Sequence, residues 1–506
     1  MRKQLSKKTY QLLLALAFLT ALAVRVVAFG RIPGGFNQDG LMAAVDAKAL
    51  AAYGTDRFGM WLPVHFTAWG FGQMSVLMSY LMVPFIWLGG LSVVTARLPL
   101  LISSLAGIAA LWGLSRRSFN RRTALVILLL AAICPWHIMQ SRWALDCNLF
   151  PHFFLFGVYF LAREKGGIYP AMVFFALSMY CYGISVYTVP LFLILACICL
   201  LRRKEITGLQ AGICALLYLA IAWPFLLCMA INAFGWETVR LPMCTIPYFP
   251  GTIRSGDILF FADAPLKQLW MNLCATLRIL FQVSGDPLSN EIPGFGTLYL
   301  ISWPFFLVGL VKLARSRKRS RGTSLIFLWF LTALAACLVT GNVNINRANI
   351  LFYPMIVITG MGITWAIARI PQMDKVVPAL YLVAFVLFVR AYFTTYADNI
   401  RYDFMADFGQ AVSSLKDTDA ETIYITADSQ YKGAAHVSEI LSLYYLDIDA
   451  AEYQAPGFHI RHRYRIPPEI DDGEDAVYVI TAEDLPKFGD AYQITQYDRF
   501  YTAIKK

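Results

Sequence analysis

An aspartate in the first polar segment of the chain is the most informative candidate for chemistry. Asp39 lies in the sequence GGFNQDG, about ten residues after an apolar segment that runs from Tyr10 to Phe29. An acid just outside an apolar helix, at the head of a long loop, is a candidate for chemistry at a membrane surface. The alternative is that Asp39 caps a helix beginning at Gly40, a role compatible with catalysis.

A second aspartate, Asp46, follows Asp39 at a spacing of seven residues. If the alanine-rich segment 41–52 is helical, both carboxylates project from roughly one face of the helix. Asp46 is therefore a candidate for binding substrate beside Asp39. The alternative is that Asp46 is a solvated surface acid.

Arg142 and Asp146 lie four residues apart between two apolar segments. The two side chains could simply form an ion pair. Charges at membrane depth are costly unless they serve packing or a site. Asp146 is therefore a candidate catalytic residue and Arg142 a candidate substrate-binding residue.

Asn346 and Arg347 belong to an asparagine-rich sequence, NVNINRAN, at the start of another apolar segment. A guanidinium group binds phosphate oxygens through two parallel hydrogen bonds. Both residues are therefore candidates for binding a phosphate-bearing substrate. The alternative is that Arg347 extends from the span end toward the membrane interface.

No cofactor is predicted. His65, His137 and His152 do not have a metal-ligand spacing. All ten cysteines lie between Cys134 and Cys337, mostly in apolar segments, where cysteine behaves as a small buried hydrophobe. The sequence gives no support for a divalent metal, and the question stays open.

The composition indicates what kind of protein positions these residues. Of 506 residues, 58% are hydrophobic and 15% are charged, and the mean hydropathy is +0.56. Soluble domains contain about 25% charged residues. Apolar runs of about 20 residues are long enough to span a bilayer. We therefore predict a multi-span α-helical membrane protein.

The net charge of +11 is unevenly distributed. Residues 396–506 contain 20 acids and 10 bases, which leaves 12 acids and 33 bases for residues 1–395. The basic excess lies in short loops between apolar segments, which is an orientation signal of membrane proteins and not a nucleic-acid footprint. We predict a transmembrane domain over 1–395 and an acidic, water-facing domain over 396–506.

Eleven apolar segments are predicted to cross the membrane. They are Tyr10–Phe29, Arg97–Ser115, Thr123–Met139, Phe150–Ala162, Ile168–Ile184, Ser185–Leu201, Leu209–Ile231, Thr297–Ala314, Thr323–Thr340, Ala348–Ala368 and Val376–Phe393. With the N-terminus in the cytoplasm, every basic loop is cytoplasmic. This topology requires that Val76–Leu91, which contains Pro84, lies in the outer interface without crossing.

The same topology predicts that the candidate residues share the outer side with the C-terminal domain. Outer loops 30–96 and 232–296 are the longest connections, and Tyr180, Tyr182 and Tyr187 are interpreted as an aromatic belt at this interface.

The C-terminal domain is predicted to be a small α/β domain. Thr422–Ile425 and Val477–Ile480 are predicted strands, and Ala434–Tyr445 is a predicted helix between them.

Taken together, these clusters resemble the GT-C superfamily of integral membrane glycosyltransferases. The nearest resemblance is to glycosyltransferase family 39, the protein O-mannosyltransferases and lipid A aminoarabinose transferases. That family has an acid in the first outer loop, an Arg-x-Pro sequence at a span start and a second acid in the next outer loop. Asp39, Arg97–Pro99 and Asp146 match these features over about residues 10–390. Gly40 departs from the family, which has Glu at that position, so the role of that Glu is lost or has moved to Asp46.

The resemblance implies a polyprenyl-phosphate sugar as donor and an extracytoplasmic glycan, lipid or protein as acceptor. A lipid-linked donor enters laterally from the bilayer, whereas nucleotide sugars are not supplied outside the cell. On this hypothesis Asp39 is the general base of an inverting transfer, a role that typically contributes about 10²–10⁴-fold. Arg347, Arg142 or another base of the outer loops holds the departing phosphate, and Asp146 orients the acceptor or a helper residue.

Two other functions are kept as alternatives. A lipid-linked-sugar flippase or transporter would need charges deep within spans, where Arg25 is the main one. A non-catalytic scaffold of the cell envelope would use the C-terminal domain for binding, and Gly40 in place of Glu favours this reading.

Overall fold

The computed structural model describes residues 6–69, 72–164, 166–250, 258–281, 285–316, 319–455, 458, 462–471 and 476–506. Seven helical stretches in these ranges are long and apolar enough to cross a membrane. They are Lys7–Val26 (α1), Val93–Ser118 (α4), Ser185–Arg202 (α9), Gly208–Phe234 (α10), Arg321–Val339 (α13), Ile345–Arg369 (α14, Ile345–Ala348, and α15, Phe352–Arg369) and Met373–Asp403 (α16, Met373–Ala391, and α17, Ala397–Asp403). The chain is a multi-pass membrane protein.

The other four of the eleven predicted spans are shorter helices. They are Arg121–Ile133 (α5) with Pro135–Gln140 (α6), Asp146–Leu161 (α7), Ile168–Ser178 (α8) and Ser302–Arg315 (α12). Predicted span 123–139 is interrupted because Cys134 precedes a proline, which disfavours the helical conformation, and has extended backbone angles.

The remaining helices belong to the loops and the C-terminal domain. They are Gln38–Tyr53 (α2), Leu77–Gly89 (α3), Pro265–Leu280 (α11), Ala406–Ser413 (α18), Ala435–Tyr445 (α19) and Ala450–Gln454 (α20). α3 has 13 residues and is therefore about 20 Å long, too short to cross a bilayer. It lies against α2, where the Ser79 hydroxyl donates to the Ala43 carbonyl at 2.8 Å.

Several helices begin where the sequence supplies caps. In α4, Ser92 and Thr95 form a reciprocal capping box, and Thr207 and Gln210 do the same for α10. α10 ends at Gly235, whose left-handed φ of 69° only glycine adopts without strain.

The basic connections meet at one end of the bundle. Arg203, between α9 and α10, donates to the Arg319 carbonyl between α12 and α13 at 3.0 Å. Arg321 contacts Glu205 at 3.6 Å and donates to the carbonyl of Leu161 at the end of α7 at 2.8 Å. These three connections therefore share a side, as the charge pattern predicts.

The C-terminal domain contains a five-stranded mixed sheet. Its strands are Thr422–Ile425 (β5), Tyr464–Arg465 (β6), Ala476–Thr481 (β7), Tyr492–Tyr497 (β8) and Phe500–Lys505 (β9). Two short hairpins in the loops precede this sheet in the chain. They are Phe66–Ala68 with Gly72–Met74 (β1, β2) and Val239–Leu241 with Cys244–Ile246 (β3, β4). The order is β6-β5-β7-β9-β8, with β5 parallel to β7 and β9 antiparallel to both of its neighbours. The two predicted strands and the predicted helix are present.

The domain lies on the side of the bundle that carries α2, called the domain side below. Lys48 in α2 forms an ion pair with Asp447 at 2.9 Å, and the Tyr53 hydroxyl donates to Asp449 at 2.7 Å. The predicted domain boundary at 396 falls within a continuous helical path, because a π-helical turn at Tyr392–Tyr396 joins α16 to α17.

Close backbone packing joins α12 to α15. A Cβ atom added to Gly309 would overlap the Ile358 carbonyl oxygen, and one added to Gly362 would overlap that of Phe305. Small residues at such a crossing let two membrane helices approach closely.

We expect Gly362→Ala to lower the free energy of unfolding by about 1–3 kcal/mol, because the added methyl group must push the two backbones apart. Thermal unfolding of the purified protein in lipid nanodiscs measures the loss. Gly212→Ala is the matched control, because a Cβ atom at Gly212 in α10 meets no atom within 4 Å. Equal stability of the two variants would contradict the packing argument.

Candidate active site

Asp39 lies in the first turn of α2. Asn37 is the capping residue, and its side-chain oxygen accepts the Asp39 N–H at 3.1 Å. The capping role considered for Asp39 therefore belongs to Asn37, which leaves the Asp39 carboxylate for other contacts. A helix N-terminus stabilises a carboxylate near it, and the Asp39 side chain is half-buried.

The N-terminus of α2 touches the loop before α7 through the two backbones. A Cβ atom at Gly40 would overlap the carbonyl oxygen of Ala144. The side chain of a glutamate does not fit this contact. The contact brings Asp39 close to Asp146, two residues beyond Ala144.

Asp146 precedes the apolar part of α7. Its carboxylate accepts the Cys147 N–H at 2.6 Å and hydrogen bonds from the backbone and hydroxyl of Ser75. Burial raises the pKa of Asp146 to about 7, and the negative charge of Asp39 adds to the increase. The two acids are therefore electrostatically coupled, and Asp146 holds a proton in part of the molecules at neutral pH.

Arg347 approaches the same place from α14. Tyr182 interacts electrostatically with Asp146, Cys147 and Arg347, so the arginine and the acid share this phenol as a neighbour. Asn344 caps α14 by accepting the Arg347 N–H at 2.9 Å, and the guanidinium donates to the Gly341 carbonyl.

Asn346, also in α14, has a buried side-chain oxygen that has no hydrogen-bond partner among the described residues. A buried polar atom of this kind is suited to receive a donor from a bound molecule.

An apolar cavity of about 320 Å³ lies between the first outer loop, α3 and the end of α8. Val76, Leu77 and Tyr80 from the start of α3 form one wall, and Leu177 and Tyr180 from the end of α8 form another. Val76 follows Ser75, which donates to Asp146, and Tyr180 precedes Tyr182 by two residues, so the cavity is formed by segments that also carry neighbours of Asp146.

No protein-family model matches the chain, and no curated protein is similar to it. Solved structures are similar. ArnT from Cupriavidus metallidurans bound to undecaprenyl phosphate has a TM-score of 0.59 at 12% identity over 97% of both chains. The archaeal oligosaccharyltransferase AglB from Archaeoglobus fulgidus, in complex with an inhibitory peptide and a dolichol-phosphate, has a TM-score of 0.50 at 13% identity over 86% of this chain. This chain spans 63% of the length of AglB in that complex.

The chain has the GT-C fold. Both of these neighbours are membrane glycosyltransferases of the GT-C superfamily. Within this fold, Asp39 lies close to Asp146, and Arg347 and Asp146 are both electrostatic neighbours of Tyr182.

Asp46 is not part of this group. Its carboxylate is fully buried and accepts two hydrogen bonds from Arg57, one from the guanidinium at 2.5 Å and one from the backbone at 3.0 Å. Asp46 is thus engaged by Arg57 and fixes the loop after α2, and its role in binding substrate stays a prediction.

Arg142 is also separate from the acid pair. Its guanidinium donates to the carbonyls of Val24, Arg25, Val27 and Ile32 at 2.8–3.2 Å, at and just beyond the end of α1. These contacts engage the guanidinium N–H groups, so Arg142 secures the α1 terminus, and its role in binding substrate stays a prediction.

Arg97, the arginine of the Arg-x-Pro sequence, has a similar structural role. It donates to the carbonyls of Pro33 and Gly35 at 2.8 and 2.6 Å. Arg97 therefore fixes the segment that leads into α2.

The sequence predicts no metal site at the histidines, and in the structure His65, His137 and His152 contact other residues. His137 and His152 both hydrogen-bond the Tyr353 hydroxyl, and His137 also contacts Arg25 in α1. His65 packs edge-on against Phe225. No group of three metal-ligating side chains occurs in the part of the chain that the structure describes.

Two acids that the sequence analysis did not select lie near Arg347. Asp286 accepts the N–H of Ile345, the first residue of α14, at 3.0 Å. Burial raises the pKa of Asp286, and burial together with Asp286 raises that of Glu291 to about 7. The feature of the sequence that could have identified them is their position in the long predicted outer loop 232–296.

The raised pKa of Asp146 predicts a pH-dependent stability. Between about pH 4 and 7 the native state holds a proton on Asp146 that the unfolded chain has released, so the free energy of unfolding falls as the pH rises. We expect Asp146→Asn to remove part of this decrease in unfolding measurements from pH 5 to 8. The exposed Asp490→Asn serves as control and should keep the wild-type slope. Equal slopes for the wild type and Asp146→Asn would contradict the prediction.

Proposed function

We propose that the protein is a membrane glycosyltransferase that transfers a sugar from a polyprenyl-phosphate donor to an acceptor on the domain side. The observation that carries this proposal is the coupled pair Asp39 and Asp146, with Tyr182 as an electrostatic neighbour of both Asp146 and Arg347. An acid pair, a cation for phosphate and an apolar surface for a lipid chain are the groups that such a transfer needs.

The proposed chemistry is one inverting substitution at the anomeric carbon. The acceptor hydroxyl oxygen forms a bond to that carbon while the bond from the carbon to the phosphate oxygen breaks. Asp39 takes the hydroxyl proton as general base. The polyprenyl phosphate leaves with the bonding electron pair, and Arg347 stabilises its negative charge.

Asp146 is proposed to orient the acceptor. Its carboxyl group holds a proton in part of the molecules near neutral pH, so it can donate a hydrogen bond to an acceptor oxygen. Asp39 and Asp146 thus have different roles because their surroundings differ, as in other enzymes with two neighbouring acids.

The donor is proposed to enter sideways from the bilayer through the apolar cavity. Tyr80 and Tyr180 contribute rings with a polar tip to a lining that is otherwise mostly aliphatic. Such side chains suit the level at which a lipid chain meets its polar head group. ArnT bound to undecaprenyl phosphate and AglB with dolichol-phosphate have this fold, which supports a lipid-phosphate donor.

The domain side is proposed to face away from the cytoplasm. The connections that carry Arg203, Arg319 and Arg321 meet at the opposite end, and basic loops favour the cytoplasmic side. The acceptor is then a glycan, lipid or protein outside the cytoplasm.

Asp39→Asn tests the proposed base with almost no change in size. We expect transfer from a panel of radiolabelled short-chain polyprenyl-phosphate sugars to fall by about 10²–10⁴-fold, because the amide cannot accept the proton. Membranes containing the full chain and cell-envelope material as acceptor provide the assay, with release of polyprenyl phosphate as readout.

Asp263→Asn, at an exposed acid before α11, is the matched control and should transfer at the wild-type rate. Full activity of Asp39→Asn would contradict the base assignment. Transbilayer movement of the labelled lipid without sugar transfer would favour the flippase, and binding of envelope material without either activity would favour the scaffold.

A further inference from the structure

Helix α11, in the long loop 232–296, carries apolar side chains on a face that the described part of the chain leaves exposed. Leu266, Trp270, Leu277 and Phe281 follow one another at intervals of four, seven and four residues, which places them on one side of an α-helix. Leu266 is 84% exposed and Trp270 is 65% exposed. This apolar stripe, as it is called below, is of the kind that binds a membrane or another protein.

The other side of α11 packs against the bundle. Asn272, Thr276 and Ile279 share this side and are buried, and the Asn272 side-chain amide donates to the carbonyl of Leu338 in α13 at 2.8 Å. Because Trp270 and Asn272 are two residues apart, their side chains point about 160° away from each other around the helix. The apolar stripe therefore faces away from α13.

Two contacts place α11 along the domain-side end of the bundle. Leu338 is the penultimate residue of α13, whose other end carries Arg321 among the basic connections. The Phe281 ring meets the ring of Trp303 at 5.9 Å, and Trp303 is the second residue of α12, at the end away from the basic connections. Asn272 and Phe281 are about 14 Å apart along the helix axis, and each reaches the domain-side end of a bundle helix. α11 therefore runs along these ends and does not cross the membrane.

The apolar stripe is continuous with an exposed apolar surface of α12, one of the predicted spans. Trp303, Leu307 and Val311 recur every four residues along α12, and all three are exposed. On a helix within the bilayer, such side chains face the lipid chains. Because Phe281 packs against Trp303, the two apolar surfaces meet. A bilayer that surrounds α12 thus reaches the stripe without a break, which favours lipid over a separate protein as its partner.

Two cations lie beside the apolar stripe. Lys267 follows Leu266, and Arg278 follows Leu277, so each cation is turned about 100° from the stripe in the same direction. Both side chains are exposed. In helices that lie at a membrane surface, apolar side chains enter the acyl boundary while basic residues occupy the polar face near the head groups. The order of the stripe and the cations around α11 matches this arrangement.

We propose that α11 is an interfacial helix that binds the bilayer surface on the domain side. The apolar stripe enters the acyl boundary, and Lys267 and Arg278 lie at the level of the phospholipid phosphates. This surface goes beyond the proposed glycosyl transfer, and its binding to lipid is expected whether or not the protein transfers a sugar. It holds at the membrane a loop that continues to Asp286, which accepts the first N–H of α14.

Fluorescence quenching of single indoles measures where α11 lies. The full chain is placed in nanodiscs of phosphatidylethanolamine and phosphatidylglycerol. One quencher is phospholipid brominated on the acyl chain, and the other is iodide in the water. The difference between the wild type and Trp270→Phe isolates the indole at position 270. In the Trp270→Phe background, Leu277→Trp adds an indole to the apolar stripe, and Met271→Trp adds one beside the cations.

We expect brominated lipid to quench the indoles at positions 270 and 277, and iodide to quench them about threefold less than the indole at position 271. Met271→Trp is the matched control, because it moves the indole by about 100° around the same turn. Leu382→Trp, at an exposed position of α16, calibrates full contact with lipid. Tyr431→Trp, at an exposed position of the C-terminal domain, calibrates full contact with water.

Three outcomes would overturn the proposal. Iodide quenching at all three α11 positions, at the level of Tyr431→Trp, would place the helix in water. Protection of positions 270 and 277 from both quenchers would show that a protein surface, such as a second copy of the chain, covers the stripe. Lipid quenching at all three positions would place α11 inside the bilayer. Trp270→Phe retains an aromatic ring at an exposed position, and position 277 gives an independent reading, so the result does not depend on one variant.

Discussion

The backbone of α2 touches the backbone of the loop before α7 at Gly40, and the candidate active site depends on this contact. Asp39 and Asp146 are over one hundred residues apart in the chain and have little reason to approach each other. Because Gly40 has no side chain, the Ala144 carbonyl can lie against it, and the two acids come within electrostatic range. A residue with a side chain at position 40 would separate them.

Three buried arginines hold the segment that leads to this contact. Arg142 bonds the carbonyls at the end of α1, Arg97 bonds those just before α2, and Arg25 bonds the carbonyls of Ala131 and Ala132 in α5. An unpaired charge in a membrane protein interior is costly. Here many of the guanidinium donors meet backbone carbonyls, so these residues fix the path of the chain, and a transport role for Arg25 receives no support from its contacts.

The C-terminal domain completes the domain side. It docks on α2 through Lys48 and Tyr53, the same helix that carries Asp39 at its start. The first loop is consequently held between the bundle and the domain. This arrangement lets one helix position the proposed base at one end and hold Arg57 of the first loop through Asp46.

The sequence by itself determined the membrane class, the seven long spans, the short α3, the strands β5 and β7, and the helix α19. These features follow from the length of the apolar segments and from local periodicity, and both are properties of residues that are neighbours in the chain. It also identified Asp39, Asp146 and Arg347 as residues of interest, because charged side chains at membrane depth are costly unless they serve packing or a site. Tertiary structure alone decided which charges meet. Arg57 engages Asp46, and carbonyls at and just beyond the end of α1 engage Arg142. Ser75 donates to Asp146, Tyr182 interacts electrostatically with it, and Asp286 bonds the start of α14, and the sequence around each of these residues does not indicate these partners. Such partners are set by which loops pack together, and loop packing depends on contacts far apart in the chain.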